Sequence, residues 1–243
     1  METLGESAAL ALALLRSGDA ALWSTVARSL AVSGSATALA CALGIPLGAW
    51  LAVARFVGRG AVVTVLNALL AVPSVVVGLG VVLLLSRSGP LGFLGWLFSF
   101  QAMVLAQTLL VLPVVVGLTR QAVEQAERQH GEQLRALGAG TGWRALLLAW
   151  DERHALAMVA LVAFGRAIAE VGAVMVVGGN IEGYTRVMTT AIALETSKGD
   201  LPLAIALGLV LLSVVLALHA AAALLQRWRQ RDAGAGALGE AHG

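Results

Sequence analysis

Residues 120–153 read RQAVEQAERQHGEQLRALGAGTGWRALLLAWDER, a charged stretch that cannot enter a lipid bilayer. Long apolar runs flank it on both sides. That alternation decides the fold class: apolar segments cross a membrane and one sizeable polar loop stays outside it. In so apolar a chain, a loop of this kind is expected to meet a partner. Residues 121–137 are rich in Glu, Gln, Arg and Ala and read as a helix. Gly138 is expected to end it, because glycine tolerates the left-handed conformation of a helix stop. Gly140 and Gly142 make the next residues a turn, and a second short helix leads from Trp143 towards the following apolar run. Two short helices with a glycine turn between them can seat in a groove on another protein.

The composition agrees with this pattern. Apolar residues make up 59% of the 243 residues and charged residues 12%, and the mean hydropathy is +0.88. A soluble domain carries about 25% charged residues, so this chain lacks the polar surface to cover a water-soluble globule. Its length allows several membrane spans and leaves little for a separate soluble domain. A net charge of +2 is too small to argue for a nucleic-acid partner. The single cysteine, Cys41, excludes an intramolecular disulfide and a Cys-based metal cluster. Glu2 and Glu6 stand where a secretory signal would be basic, so no cleaved peptide is expected.

A spanning helix needs about 20 mostly apolar residues. Five segments qualify: 29–54, 60–85, 100–119, 155–177 and 201–225. The early run 8–15 is too short to cross. With 19–30, anchored by Trp23, it reads as an interfacial segment over 1–28 that leads into the first span. A sixth span built from it is the rival count. The chain thus divides into that segment, a transmembrane domain over 29–225 with its loop at 120–154, and a tail over 226–243. The tail is Gly- and Ala-rich after Arg231 and is expected to be disordered.

Basic residues set the orientation. With the loop inside, the inner faces hold ten arginines (55, 59, 120, 128, 135, 144, 153, 227, 229, 231). The outer faces hold five basic residues, Arg16, Arg28, Arg87, Arg186 and Lys198. That bias places the loop and C-terminus in the cytoplasm and, with five spans, the N-terminus outside. Pro46, Pro73 and Pro113 are expected to interrupt three spans. Gly44 with Gly48, and Ala169 with Ala173, form small-xxx-small pairs that let a second helix approach closely. Such features serve bundle packing more often than a movable pathway, and both readings stay open.

These residues resemble the permease subunits of ABC importers. Their coupling loop runs Glu-Ala-Ala, three residues, Gly, nine residues, then Ile-x-Leu-Pro. This chain has Glu132-Gln133-Leu134, three residues, Gly138, nine residues, then Leu148-Ala149-Trp150-Asp151. Gln133 and Leu134 replace the alanines, and Trp150-Asp151 replaces Leu-Pro. A second stretch, Phe164-Gly165-Arg166-Ala167-Ile168-Ala169-Glu170-Val171-Gly172-Ala173, is similar to the Arg…Gly-Glu-x-Gly-Ala signature of importers for molybdate, tungstate and sulfate. Ala169 takes the place of the first glycine. Residues 179–186 resemble the same group, and 189–200 are most similar to the tungstate-type permeases. The resemblance runs from about 29 to 225.

It implies an all-α integral membrane protein of the type I ABC importer permease fold, with five spans (six possible), in a prokaryotic cell (inner) membrane. It implies a second copy of the chain, a cytoplasmic ATPase dimer that binds ATP and Mg, and an external substrate-binding protein, all against a lipid bilayer. No cofactor is expected in this chain, which has no Gly-rich phosphate loop ending in Gly-Lys-Ser or Gly-Lys-Thr. The resemblance gives Glu132, Gly138, Ala139 and Leu148 an ATPase-coupling role. It gives Arg166, Glu170 and Gly172 a pathway or gate role. Tungstate is the implied cargo, with molybdate or sulfate as alternatives.

Arg166 and Glu170 lie four residues apart on one helix face and can pair. A guanidinium suits tetrahedral anions, but Glu170 would cancel its charge and repel the cargo. A packing pair is therefore the favoured reading. An ion-coupled secondary transporter would use the two charges directly yet leaves the loop unexplained. An enzyme is disfavoured: His130, His154, His219 and His242 are scattered, with no convergent set of groups. His219 reads as a packed core residue, Asn67 as an interhelical hydrogen-bond partner, and Gln101 and Gln107 as helix-bonding or path-lining. The outer segment 178–200 is expected to carry a short helix over 185–196, as a docking surface or a plug.

Overall fold

The computed structural model describes the backbone of residues 4–240 and the side chains of 6–224. Glu2, His242 and the side chains of Arg227, Arg229 and Arg231 lie outside the described residues. The described chain is helical throughout, in the order α1 (Leu4–Ser17), α2 (Ala20–Val53), α3 (Arg59–Leu70), α4 (Ser74–Leu85), α5 (Phe100–Ala136), α6 (Thr141–Asp151), α7 (Arg153–Ile168), α8 (Gly172–Gly178), α9 (Met188–Lys198) and α10 (Leu201–Glu240). A single 3-10 turn, Gly92–Leu94, precedes α5.

Three helices, α2, α5 and the 201–224 part of α10, are long and apolar enough to cross a membrane alone. Two further candidates are broken. The α3–α4 pair bends by 101° and the α7–α8 pair by 59°. Counting each pair as one span gives five, the number read from the sequence. Helix α1, with 14 residues, is about 21 Å long, against a hydrocarbon core of about 30 Å, and it packs on α10.

Two expectations about the spans need correction. Residues 19–30 do not form a separate interfacial stretch. Asp19 caps α2 by accepting the Leu22 N–H at 2.7 Å, and nothing interrupts the helix between there and the apolar segment. Pro46 and Pro113 lie inside continuous helices of 34 and 37 residues; each removes one backbone bond without ending the helix. Only Pro73 stands at a break, in extended conformation before Ser74. Beyond its span α10 continues as helix to Glu240, and Gln and Arg at 226–231 are good helix formers.

The spine of the molecule is α2 against α5. A Cβ on Gly44 would come within 2.8 Å of Val115 Cγ1, and one on Gly48 within 2.6 Å of the Val116 carbonyl oxygen. These two glycines are therefore what lets the helices touch. Along this seam Ala40, Val111, Val115, Val159, Ala163 and Ala167 form one buried cluster that brings in α7. Helix α8 packs on α4, where a Cβ on Gly78 would meet Ala173 Cα at 2.9 Å. Helix α3 is different: none of its residues is buried.

The short helix of the outer segment, α9, spans Met188–Lys198 rather than 185–196. The residues before it are pinned to α2. Arg28 donates to the Gly183 and Arg186 carbonyls at 2.7 and 3.1 Å, and Ser29 Oγ accepts the Met188 N–H at 2.7 Å.

Candidate functional site

The polar loop begins as an uninterrupted continuation of α5. At its end Gly138 takes φ +76°. Its N–H reaches the Arg135 carbonyl at 2.9 Å, and the Ala139 N–H reaches the Leu134 carbonyl at 3.0 Å. This is the paired closure of a Schellman stop, with glycine at the left-handed position. The reversal lets α6 fold back against α2 and α5. Leu148, 2% exposed, packs with Ala145 against Ala49, Ala52 and Val53 of α2 and Val123 and Ala126 of α5. Arg144 Nη1 meets Glu127 Oε1 at 3.3 Å, and Arg135 Nη1 meets the same oxygen at 2.8 Å. One carboxylate thereby ties α6 to α5.

The opposite face of α6 is apolar and open. Trp143 and Trp150 are 66% and 72% exposed, and Leu146 and Leu147 are exposed between them. Their spacing of i, i+3, i+4 and i+7 is the anchor pattern of a helix that lies in a partner's groove. Leu137 protrudes beside Gly138, also exposed. Of the four residues singled out in the sequence for this loop, Glu132 and Gly138 are exposed, Ala139 is half-buried and Leu148 faces inward. The outward Trp and Leu side chains went unread. Their helical spacing was the available signal.

The second site is the junction between α7 and α8. Arg166 Nη1 contacts Glu170 Oε2 at 2.6 Å; the Glu170 side chain is 4% exposed and that of Arg166 44%. Glu170 Oε1 also accepts the Ala173 N–H at 3.2 Å, inside the first turn of α8. The freed backbone is satisfied by neighbours. Gln107 Nε2 donates to the Ala167 carbonyl at 3.0 Å, and Thr189 Oγ1 donates to the Glu170 carbonyl at 2.7 Å. A broken helix at membrane depth requires such replacement partners. Gly172 makes the junction possible sterically: a Cβ there would lie 2.8 Å from both Ser74 Oγ and Val75 Cγ2 of α4. The three residues read from the sequence as pathway or gate thus share one junction, where both broken helix pairs meet.

Residues 44–231 match the model of the family described as binding-protein-dependent transport system inner membrane component. The chain belongs to this family. It is 43% identical over 226 residues to the tungstate uptake system permease protein TupB of Peptoclostridium acidaminophilum, covering 93% of this chain and 99% of that protein. It is 43% identical over 218 residues to a probable anion ABC transporter permease protein of Haloferax volcanii, covering 88% and 93%. The molybdenum transport system permease protein ModB of Escherichia coli is 32% identical over 193 residues, covering 73% and 82%.

Both sites of this permease lie within the matched residues, whereas α1 and the first two thirds of α2 precede them. Four further polar residues of its spans stand out in the sequence. Gln107 is buried and bonds α7; Gln101 is exposed. His219 is not a packed core residue: it is exposed on α10, bonds the Val215 carbonyl at 2.9 Å, and lines a groove towards Gly165 and Ala169 of α7. Asn67 is exposed on α3 and makes no interhelical hydrogen bond among the described residues. It sits on the exposed side of α3, where no described helix supplies the partner that such an amide would need.

Proposed function

We propose that the chain is the pore-forming subunit of an ATP-driven importer of a tetrahedral oxyanion, with tungstate as cargo ahead of molybdate and sulfate. One observation carries this reading. Likeness to a tungstate permease extends over 99% of that protein at 43% identity, against 32% for a molybdenum permease. Two copies form the pore. A cytoplasmic ATPase dimer binds ATP and Mg, and an external binding protein delivers the anion. The ten-to-five basic bias supports a cytoplasmic loop and C-terminus and an external N-terminus.

In this reading α6 is the joint to the ATPase. Trp143, Leu146, Leu147 and Trp150 seat in its groove. Leu148 and the Arg144–Glu127 pair bind α6 to α2 and α5, so a push on the outer face reaches the spans as rigid-body motion. Gly138 sets the angle of the joint, with Glu132 and Ala139 at its edges. Arg166 and Glu170 hold the α7–α8 junction rather than the cargo. Glu170 already occupies both Arg166 and the first turn of α8, and its charge would repel an oxyanion. Selectivity then rests with the external protein, since a path must release what it passes.

The test is purification of the tagged chain from native membranes with everything bound to it, followed by ATP-driven uptake in vesicles. An ATPase subunit in equal amount is expected, with tungstate taken up in preference to molybdate and sulfate. Gly138→Pro is expected to abolish uptake and uncouple ATP hydrolysis. Normal uptake by that variant, or transport with no ATPase present, would overturn the reading.

A further inference from the structure

Two cavities of about 400 Å³ each follow one another along α2, α3 and α5, the first bordered also by Val77 of α4. The first is an apolar groove. Leu47 and Trp50 of α2, Leu66 and Leu69 of α3, and Leu112 and Val116 of α5 line it. The second begins one turn further along α5 and is strongly basic. Arg55 follows α2, Arg59 opens α3, and Arg120 and Arg128 project from α5.

The charges do not cancel. Glu124 takes both Arg59 and Arg120. Glu127, the other carboxylate on this wall, is already shared by Arg135 and Arg144. Four arginines therefore line a cavity whose two glutamates are already engaged. Arg55 and Arg128 make no ion pair among the described residues. The seam between the cavities carries a stacked aromatic pair, Trp50 and Phe56, with ring centroids 5.5 Å apart. Exposed aromatic side chains of this kind sit at the headgroup level of a bilayer. Because α3 buries no residue, no other part of the described chain covers the groove on that side.

We infer that this composite cavity binds an anionic phospholipid, with its phosphate among the arginines and an acyl chain in the groove under α3. A free oxyanion would match the basic half alone. A helix from a second copy would match the apolar half and leave Arg55 and Arg128 without counter-charge. An anionic lipid matches both, and on the proposed orientation the basic end faces the cytoplasmic leaflet, where such lipids concentrate.

The experiment is native mass spectrometry of the full chain, with the subunits that travel with it, after exposure to equal amounts of phosphatidylglycerol and phosphatidylcholine. Phosphatidylglycerol is expected to be retained preferentially. The double variant Arg55→Gln/Arg128→Gln keeps the Glu124 and Glu127 pairs intact. It is expected to lower that retention roughly 30-fold, the loss of two surface-level arginine contacts. Leu66→Trp is expected to lower retention of both lipids by filling the groove; should it fail to fold, the arginine variant carries the test alone. Equal retention of the two lipids, or unchanged retention in the double variant, would overturn the assignment. So would displacement of phosphatidylglycerol by tungstate alone, which would make the cavity a site for the free anion. Disulfide cross-linking of two copies through Leu66→Cys, in a Cys41→Ala background, would mean that protein covers the groove. None of these readouts depends on transport, so the importer reading stands or falls separately.

Discussion

The loop and the α7–α8 junction use the same device in different solvents. In each, one glutamate accepts from two donors. Glu127 takes Arg135 and Arg144, the second from a different helix 17 residues away. Glu170 takes Arg166 and the Ala173 N–H, both within four residues, with the Ser74 hydroxyl of α4 beside it. The first carboxylate clips two helices together. The second closes a gap inside a single bent span. At the loop Arg135 is 40% exposed and can turn to water if its partner is lost. At the junction water has no ready access, because Glu170 is buried against α4 and α8 in an apolar layer. Identical chemistry should therefore be a strong fold determinant in one place and a mechanical link in the other.

Glu170→Ala is the sharpest way to break that contrast. It strands Arg166 and uncaps α8 together. A loss of about 3 kcal/mol is expected, at the low end for a broken buried pair because Arg166 is partly exposed. Thermal unfolding of the detergent-solubilised chain would register it as a clear drop in midpoint, with loss of assembled transporter. Arg166→Gln should be milder, since the glutamate keeps its bond to α8. A Glu170→Ala protein as stable as wild type would show that the junction does not depend on the carboxylate.

Glu127→Ala comes next. It leaves the Arg144 side chain, 9% exposed, without its carboxylate. Arg135 can turn to water while Arg144 stays buried, so about 2 kcal/mol is expected, within the cost of one unsatisfied buried group. The informative readout is coupling: ATP hydrolysis is expected to persist while uptake falls, because α6 no longer moves with α5. A stability loss equal to that of Glu170→Ala would erase the distinction between the two sites.

How far these sites can be read in the sequence follows from range. The five apolar segments, the stop at Gly138 and the close approach at Gly44 and Gly48 are local signals, and the fold obeys them. Pro73 breaks its span as proline can, yet Pro46 and Pro113 do not. Proline chemistry alone does not distinguish the three. What differs is the packing partner, since α2 and α5 support each other over their whole shared length. The coupling pattern marks Leu148 by type and spacing but is silent about direction, and the fold turns it inward. Glu127 could not be singled out at all: its role exists only once α6 folds back and delivers Arg144. The 101° bend between α3 and α4 falls at Pro73, and the close contacts of α4 with α8 at Gly78 and Gly172 brace it, which the sequence around Pro73 does not show.

The smallest effect on the fold is expected from Trp143→Ala/Trp150→Ala, and for that reason it isolates the outer face of α6. Both side chains are exposed, so their removal should leave stability within about 0.5 kcal/mol. If the two indoles anchor in a partner groove, affinity for the ATPase should fall by at least about 30-fold, the loss of a single hot spot of 2 kcal/mol. Arg153, whose guanidinium lies 5.9 Å from the Trp150 ring, would lose its cation–π contact at an exposed site, a minor term. Measuring both quantities on one purified variant separates the two faces of a single short helix. Leu148→Ala should do the reverse: weaken the chain by the 2–5 kcal/mol of a buried leucine cavity while leaving the docking face chemically intact. If the Trp variant destabilises the chain and leaves ATPase affinity unchanged, the outward face is in contact with lipid or a second permease copy, and the joint lies elsewhere on the loop.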